Sequence, residues 1–354
     1  MKRKTVATVY AVICVALLLA GLLLTFYFAW NESIEKGIEA IVAIVISLIL
    51  APTVHELGHV VFARVCGMEL VCVKFFCVQL ERRGGKLRFS FASPFAPDQT
   101  QTLPRYGGNM QKRACLYTLG GLIFQGTFTL IIAIVAITLA CFKIYSFALW
   151  GLLPYAAYLF ILNAAPLEYP SGKTDLLVYL GLKKGASVEA NMLAAMEIQG
   201  RVYAGESFSE IDEAVYFSSP QLCEDEPLYA VMLDLRYRYY LEKNELKKAA
   251  AQLNHLANVQ EYLSDREVEK IAAELTYMHA LNGDYERAKD CSQVCEEYLK
   301  QDEAVAKRVL AAYCKAFGKE EAVLPLTEQA ESILKAERIK GLAKAERILL
   351  ARLV

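Results

Sequence analysis

Two histidines and a glutamate stand at a spacing that suits metal chemistry: His55-Glu56-Leu57-Gly58-His59. On an α-helix, positions i and i+4 share one face a turn apart, so the two imidazoles can converge on one ion. Glu56 lies beside that face, placed to take a proton from a water rather than to ligate. Zn2+ suits these donors. It lowers the pKa of a water towards neutrality, polarises a peptide carbonyl, and with three protein ligands keeps a position open. The chemistry this predicts is peptide-bond hydrolysis, with His55 and His59 as zinc ligands and Glu56 as general base.

A third ligand must be acidic or a histidine at similar depth. Glu32, Glu35 and Glu39 fall at the far end of the segment that carries the histidines, and Glu69 and Glu81 flank a hairpin. Asp98 lies in a loop beyond that hairpin, and His255 and His279 lie in the polar C-terminal half. Asp175 follows Asn163-Ala164-Ala165-Pro166 and Ser171-Gly172-Lys173-Thr174. Such an unwound Pro/Gly stretch suits non-helical backbone bordering a cavity. Asp175 is therefore the choice and Glu168 the alternative; the structural role competing for Asp175 is a helix N-cap.

The elements that must position these groups are membrane segments. Residues 6–30 contain no charge and exceed the apolar core of a signal peptide, so they read as a retained helix. Further apolar segments run over about 38–63, 114–140 and 144–163. His55 lies about 25 Å along the second segment from Ile38, which puts it about 5–10 Å below one face of a core about 30 Å thick. Three ionisable groups there cost several kcal/mol unless they have partners or a task. Pro52 is expected to bend this helix, and Gly120 and Gly121 to let another helix pack closely. The polar stretch 64–113 holds nine Lys and Arg, whereas the opposite loops hold one cation each, Lys36 and Lys143. The positive-inside rule then places residues 1–5, 64–113 and everything after 163 in the cytoplasm. Within 64–113, runs at 71–78 and 87–91 flank Arg82-Arg83-Gly84-Gly85 and read as a β-hairpin over about 69–91.

The charge is divided along the chain. Residues 1–182 carry 15 Lys and Arg against 9 Asp and Glu, a net of +6; residues 183–354 carry 23 against 30, a net of -7. This separates a membrane-embedded domain, 1–182, from a soluble one, 183–354. The second is rich in Ala, Leu, Glu and Lys with helical periodicity. Its helix ends look alike at Leu241-Glu242-Lys243-Asn244-Glu245, Leu281-Asn282-Gly283-Asp284 and Ala316-Phe317-Gly318-Lys319, which resembles tetratricopeptide-type helix pairs. Neither half is basic or patterned enough for a nucleic-acid binder. The ten cysteines form no CxxC pair and read as small buried hydrophobes.

With these residues in place, the segment 38–182 resembles the site-2 protease family of intramembrane metalloproteases. The match rests on His55-Glu56-Leu57-Gly58-His59 inside a membrane segment and on Asn163-x-x-Pro166 followed by Asp175. Leu119-Gly120-Gly121-Leu122 and Tyr106-Gly107-Gly108 add to it. The pattern differs at Leu176, where the family has Gly after the Asp, at Leu122 for Pro, and at Gln125 for Asn. The resemblance implies zinc held by His55, His59 and Asp175, with Glu56 also returning the proton to the leaving amine. It implies that Asn163 holds substrate or the oxyanion. The expected protein is an all-α, multi-pass membrane endopeptidase with about four transmembrane helices, a small cytoplasmic β-hairpin and a soluble helical repeat domain. Its setting would be the lipid bilayer of a bacterial cytoplasmic membrane, its C-terminal domain cytoplasmic. It would cleave a membrane protein or membrane-associated peptide near the cytosolic face, with a regulatory protein on the repeats. Two other readings remain: a non-catalytic scaffold acting through its repeats, or a peptidase for small secreted peptides or leaders.

Overall fold

The computed structural model describes residues 2–83, 86–94, 99–170, 172–259 and 263–354, with side chains from Thr5 and without that of Arg83. Two compact units divide the chain: Met1–Leu103 with Asn109–Ala186, and Pro104–Gly108 with Ser187–Val354. The boundary falls after Ala186 rather than after 182 because one helix continues to Lys184 and is closed by Gly185 at φ 66°. The short segment 104–108, expected to belong with the first domain, counts with the second.

In the first unit the helices are α1 (Lys2–Glu32), α2 (Ile34–Val65), α3 (Met110–Cys141), α4 (Phe147–Asn163) and α5 (Asp175–Lys184). Three are long and apolar enough to cross a membrane: Thr5–Glu32 of α1, α2 and α3. The fourth apolar segment begins at Phe147 rather than 144, and is a shorter helix of 17 residues. The α2 helix is N-capped by Ser33, whose hydroxyl accepts from Lys36 N, and runs on through Pro52 to Val65. Glu39 of α2 accepts from Ala148 N at 2.9 Å, satisfying a donor that the first turn of α4 leaves open.

Helices α2 and α3 touch backbone to backbone. A Cβ at Gly58 would lie 2.3 Å from Gly120 O, and one at Gly120 would lie 2.7 Å from Gly58 O. Glycine is required on both sides of this crossing. Arg113 near the start of α3 donates to Cys66 O at 2.7 Å and Gly67 O at 3.2 Å, satisfying carbonyls just after α2 ends. Gln125 of α3, fully buried, donates to Ala156 O of α4 at 2.9 Å.

The expected hairpin is part of a larger sheet. Strands β1 (Met68–Phe75), β2 (Val78–Arg83), β3 (Lys86–Phe91) and β4 (Gln99–Pro104) lie in the order β3-β2-β1-β4. The run read as one strand over 71–78 is broken by a turn at Phe76, which adopts φ 51°. A left-handed phenylalanine leaves no compositional mark, so the turn was not legible. Strand β4 leaves no mark in the sequence, because Gln99-Thr100-Gln101-Thr102 offers no apolar alternation. Gly84 and Gly85, expected to form the hairpin turn, and Asp98 lie outside the described residues. A two-stranded pair, β5 (Glu168–Tyr169) and β6 (Gly172–Lys173), follows α4.

The second unit is helical: α6 (Ser187–Ala204), α7 (Glu213–Phe217), α8 (Pro227–Glu242), α9 (Leu246–Asn258), α10 (Asp265–Leu281), α11 (Tyr285–Val294), α12 (Glu296–Leu299), α13 (Ala304–Ala316), α14 (Val323–Lys335) and α15 (Lys340–Leu350). The pairs α8 with α9, α10 with α11, and α13 with α14 pack together, and α10 packs on both α9 and α13. Each pair turns through a left-handed residue: Asn244, Gly283 or Gly318. Segment 104–108 is pinned to α6. Gly108 N donates to Glu197 Oε2 at 2.7 Å, and a Cβ at Gly200 would lie 2.5 Å from Tyr106 O.

At the core of this unit the fully buried Arg308 bonds Glu274 and Glu346, each at 2.7 Å, with its guanidinium 4.2 Å from the Tyr277 ring centre. Removing the cation leaves two carboxylates buried together, which costs about 3–5 kcal/mol. Arg308→Ala should therefore lower stability by about that much, read by urea denaturation of the full chain followed through helical circular dichroism. A loss below about 1 kcal/mol would contradict the role given to this triad.

Candidate metal centre

The helix α2 presents His55 and His59 on one side, where α3 and the first turn of α5 meet it. Their Nε2 atoms are 3.3 Å apart. Asp175 Oδ2 lies 3.1 Å from His55 Nε2 and 3.4 Å from His59 Nε2. These three form the group of metal-ligating donors among the described residues, and the side chains are largely buried.

The arrangement fits an ion in two respects. Donors about 2.0–2.1 Å from a shared zinc at tetrahedral angles stand about 3.3–3.4 Å from one another, close to the three separations found. Asp175 Oδ2 is also buried without a hydrogen-bond partner among the described residues. A buried carboxylate oxygen in that condition is costly, and a cation between it and the imidazoles removes the cost.

The orientation of each donor has a local cause. His59 Nδ1 sits 3.0 Å from Tyr117 O. A carbonyl only accepts, so the proton is on Nδ1 and the Nε2 lone pair faces the cluster. At the start of α5 the N-cap is Thr174, whose hydroxyl accepts from Leu177 N and donates to Ala165 O at 2.6 Å. The competing capping role therefore falls to Thr174, and the Asp175 carboxylate points elsewhere. On α3, Gly121 leaves the space the imidazoles occupy: a Cβ there would lie 2.5 Å from His59 Nε2 and 2.7 Å from His55 Nε2.

Glu56 stands outside the donor group. It is 9% exposed, and its Oε2 accepts from Thr100 Oγ1 at 2.6 Å. Tyr117 donates its hydroxyl to Thr100 O at 2.8 Å. Nothing in the sequence marks Thr100, and Tyr117 is marked only by sharing a face of α3 with Gly121. Of the other candidates, Glu168 is exposed on β5 opposite Lys173, and Glu69 is buried and paired with Arg82 at 2.9 Å. Asn163 ends α4 and donates to Leu159 O of its own helix at 3.3 Å. His279 lies in the second unit, 3.5 Å from Asp284. No protein-family model, curated protein or solved structure matches the chain.

Because Gly121 borders both Nε2 atoms, Gly121→Ala should weaken zinc binding about 10–100-fold while helix content is kept. Competition with a chelating dye measures the affinity. Unchanged affinity would contradict the close fit at this position.

Proposed function

We propose that this protein is a zinc-dependent endopeptidase of the membrane, with His55, His59 and Asp175 holding one Zn2+ and Glu56 as general base. The observation that carries the reading is the convergence of those three donors, with the spacing of a tetrahedral site, on a helix long and apolar enough to cross a membrane. Bound there, zinc would polarise a substrate carbonyl and acidify a water. The chain's own groups do the rest. His59 is fixed in the ligating tautomer by Tyr117 O. Asp175 supplies the negative charge. Glu56, held by Thr100, takes the proton of the water and passes it to the leaving amine. Asn163 is assigned to hold the substrate or its oxyanion, which requires its amide to leave the Leu159 carbonyl.

In this reading α4 is the fourth crossing. Its 17 residues extend about 26 Å, slightly less than an average hydrocarbon core of about 30 Å. The cation-rich stretch 64–113 and the second unit then lie on the cytosolic side. The substrate is a membrane-spanning or membrane-associated peptide cut close to that side. The helix pairs of the second unit are a tetratricopeptide-like repeat that recruits the substrate or a regulatory protein.

The test is metal analysis of purified protein beside cleavage of candidate membrane substrates. Wild type and Glu56→Gln should each hold about one zinc per chain, and Glu56→Gln should lose about 10²–10⁴-fold in rate. Metal-free wild type, or full cleavage by Glu56→Gln, would overturn the proposal. Asp175→Ala should lose zinc; unchanged binding would remove Asp175 from the ligand set.

A further inference from the structure

We infer that Thr100 is a positioning residue for Glu56. The inference rests on the reading of Glu56 as general base. A carboxylate as buried as Glu56 needs a hydrogen-bond partner, and the 2.6 Å contact from Thr100 Oγ1 has the length of a charge-assisted O–H···O⁻ bond. Holding Oε2 fixes the plane of the carboxylate and assigns proton transfer to Oε1. A base displaced by about 1 Å loses up to about 10²-fold in rate, so this one donor matters to the chemistry without touching substrate.

Thr100 is itself held by α3. Tyr117 bonds its carbonyl at 2.8 Å, from the residue whose own carbonyl orients His59. The ligand and the base are thus aligned by one tyrosine.

The test uses full-length protein in bilayer nanodiscs and one cleavable membrane substrate. Thr100→Val should keep about one zinc per chain and a KM within about twofold, while kcat falls about 10–100-fold; Thr100→Ser should recover to within about threefold. The isotope-edited infrared carboxylate band that Glu56→Gln abolishes should shift in Thr100→Val and not in Thr100→Ser. Wild-type kcat in Thr100→Val, or a rise in KM alone, would overturn the positioning role. Glu56→Gln, assayed in parallel, reports separately on the general-base reading: inactivity supports it, and full activity overturns it together with this inference.

Discussion

The backbone contact between Gly58 and Gly120 governs the first unit. No side chain fits between the two helices there, so α2 and α3 approach as closely as helices can. That approach places Gly121 beside the imidazoles and Tyr117 O within reach of His59 Nδ1. It also brings α5, which packs on α3, close enough for Asp175 to meet both histidines. A methyl group at either glycine would separate the helices and pull these groups apart. The contact lies inside the HExxH motif itself, because Gly58 is the residue before the second histidine.

Around this crossing polar side chains tie the helices to one another and to the chain beside them. Arg113 satisfies carbonyls beyond α2, Gln125 reaches Ala156 O, and Glu39 caps α4. These bonds hold helices whose apolar surfaces give no directional preference. Asp175 Oδ2 and His55 Nδ1 are the exceptions within the donor group, buried with no hydrogen-bond partner among the described residues. An unpaired carboxylate oxygen beside two imidazoles is what the proposed cation would satisfy. The second unit shows the contrasting solution. There the buried carboxylates of Glu274 and Glu346 already share a cation, Arg308, so that cluster is structural.

What could be read from the sequence was local. The i, i+4 spacing of His55 and His59 is a property of any helix, and the apolar runs state their own lengths. Asp175 stands out among the acidic residues through the unwound stretch before it. The features that escaped are those in which distant segments meet. Thr100 sits in a strand of alternating Gln and Thr with no apolar signature, 44 residues from the glutamate it contacts. The turn at Phe76 uses a residue type that rarely adopts positive φ. The attachment of 104–108 to α6 depends on Gly200, whose lack of a side chain gains meaning only when Tyr106 O is known to lie against it.

The central claim is that one ion is held by two imidazole nitrogens and one carboxylate. X-ray absorption at the zinc edge on the purified chain tests it directly. The account predicts two nitrogen scatterers with imidazole outer-shell features and oxygen completing a four-coordinate shell, all at about 2.0–2.2 Å. A sulfur shell at about 2.3 Å would place the metal on the cysteines instead and contradict the account.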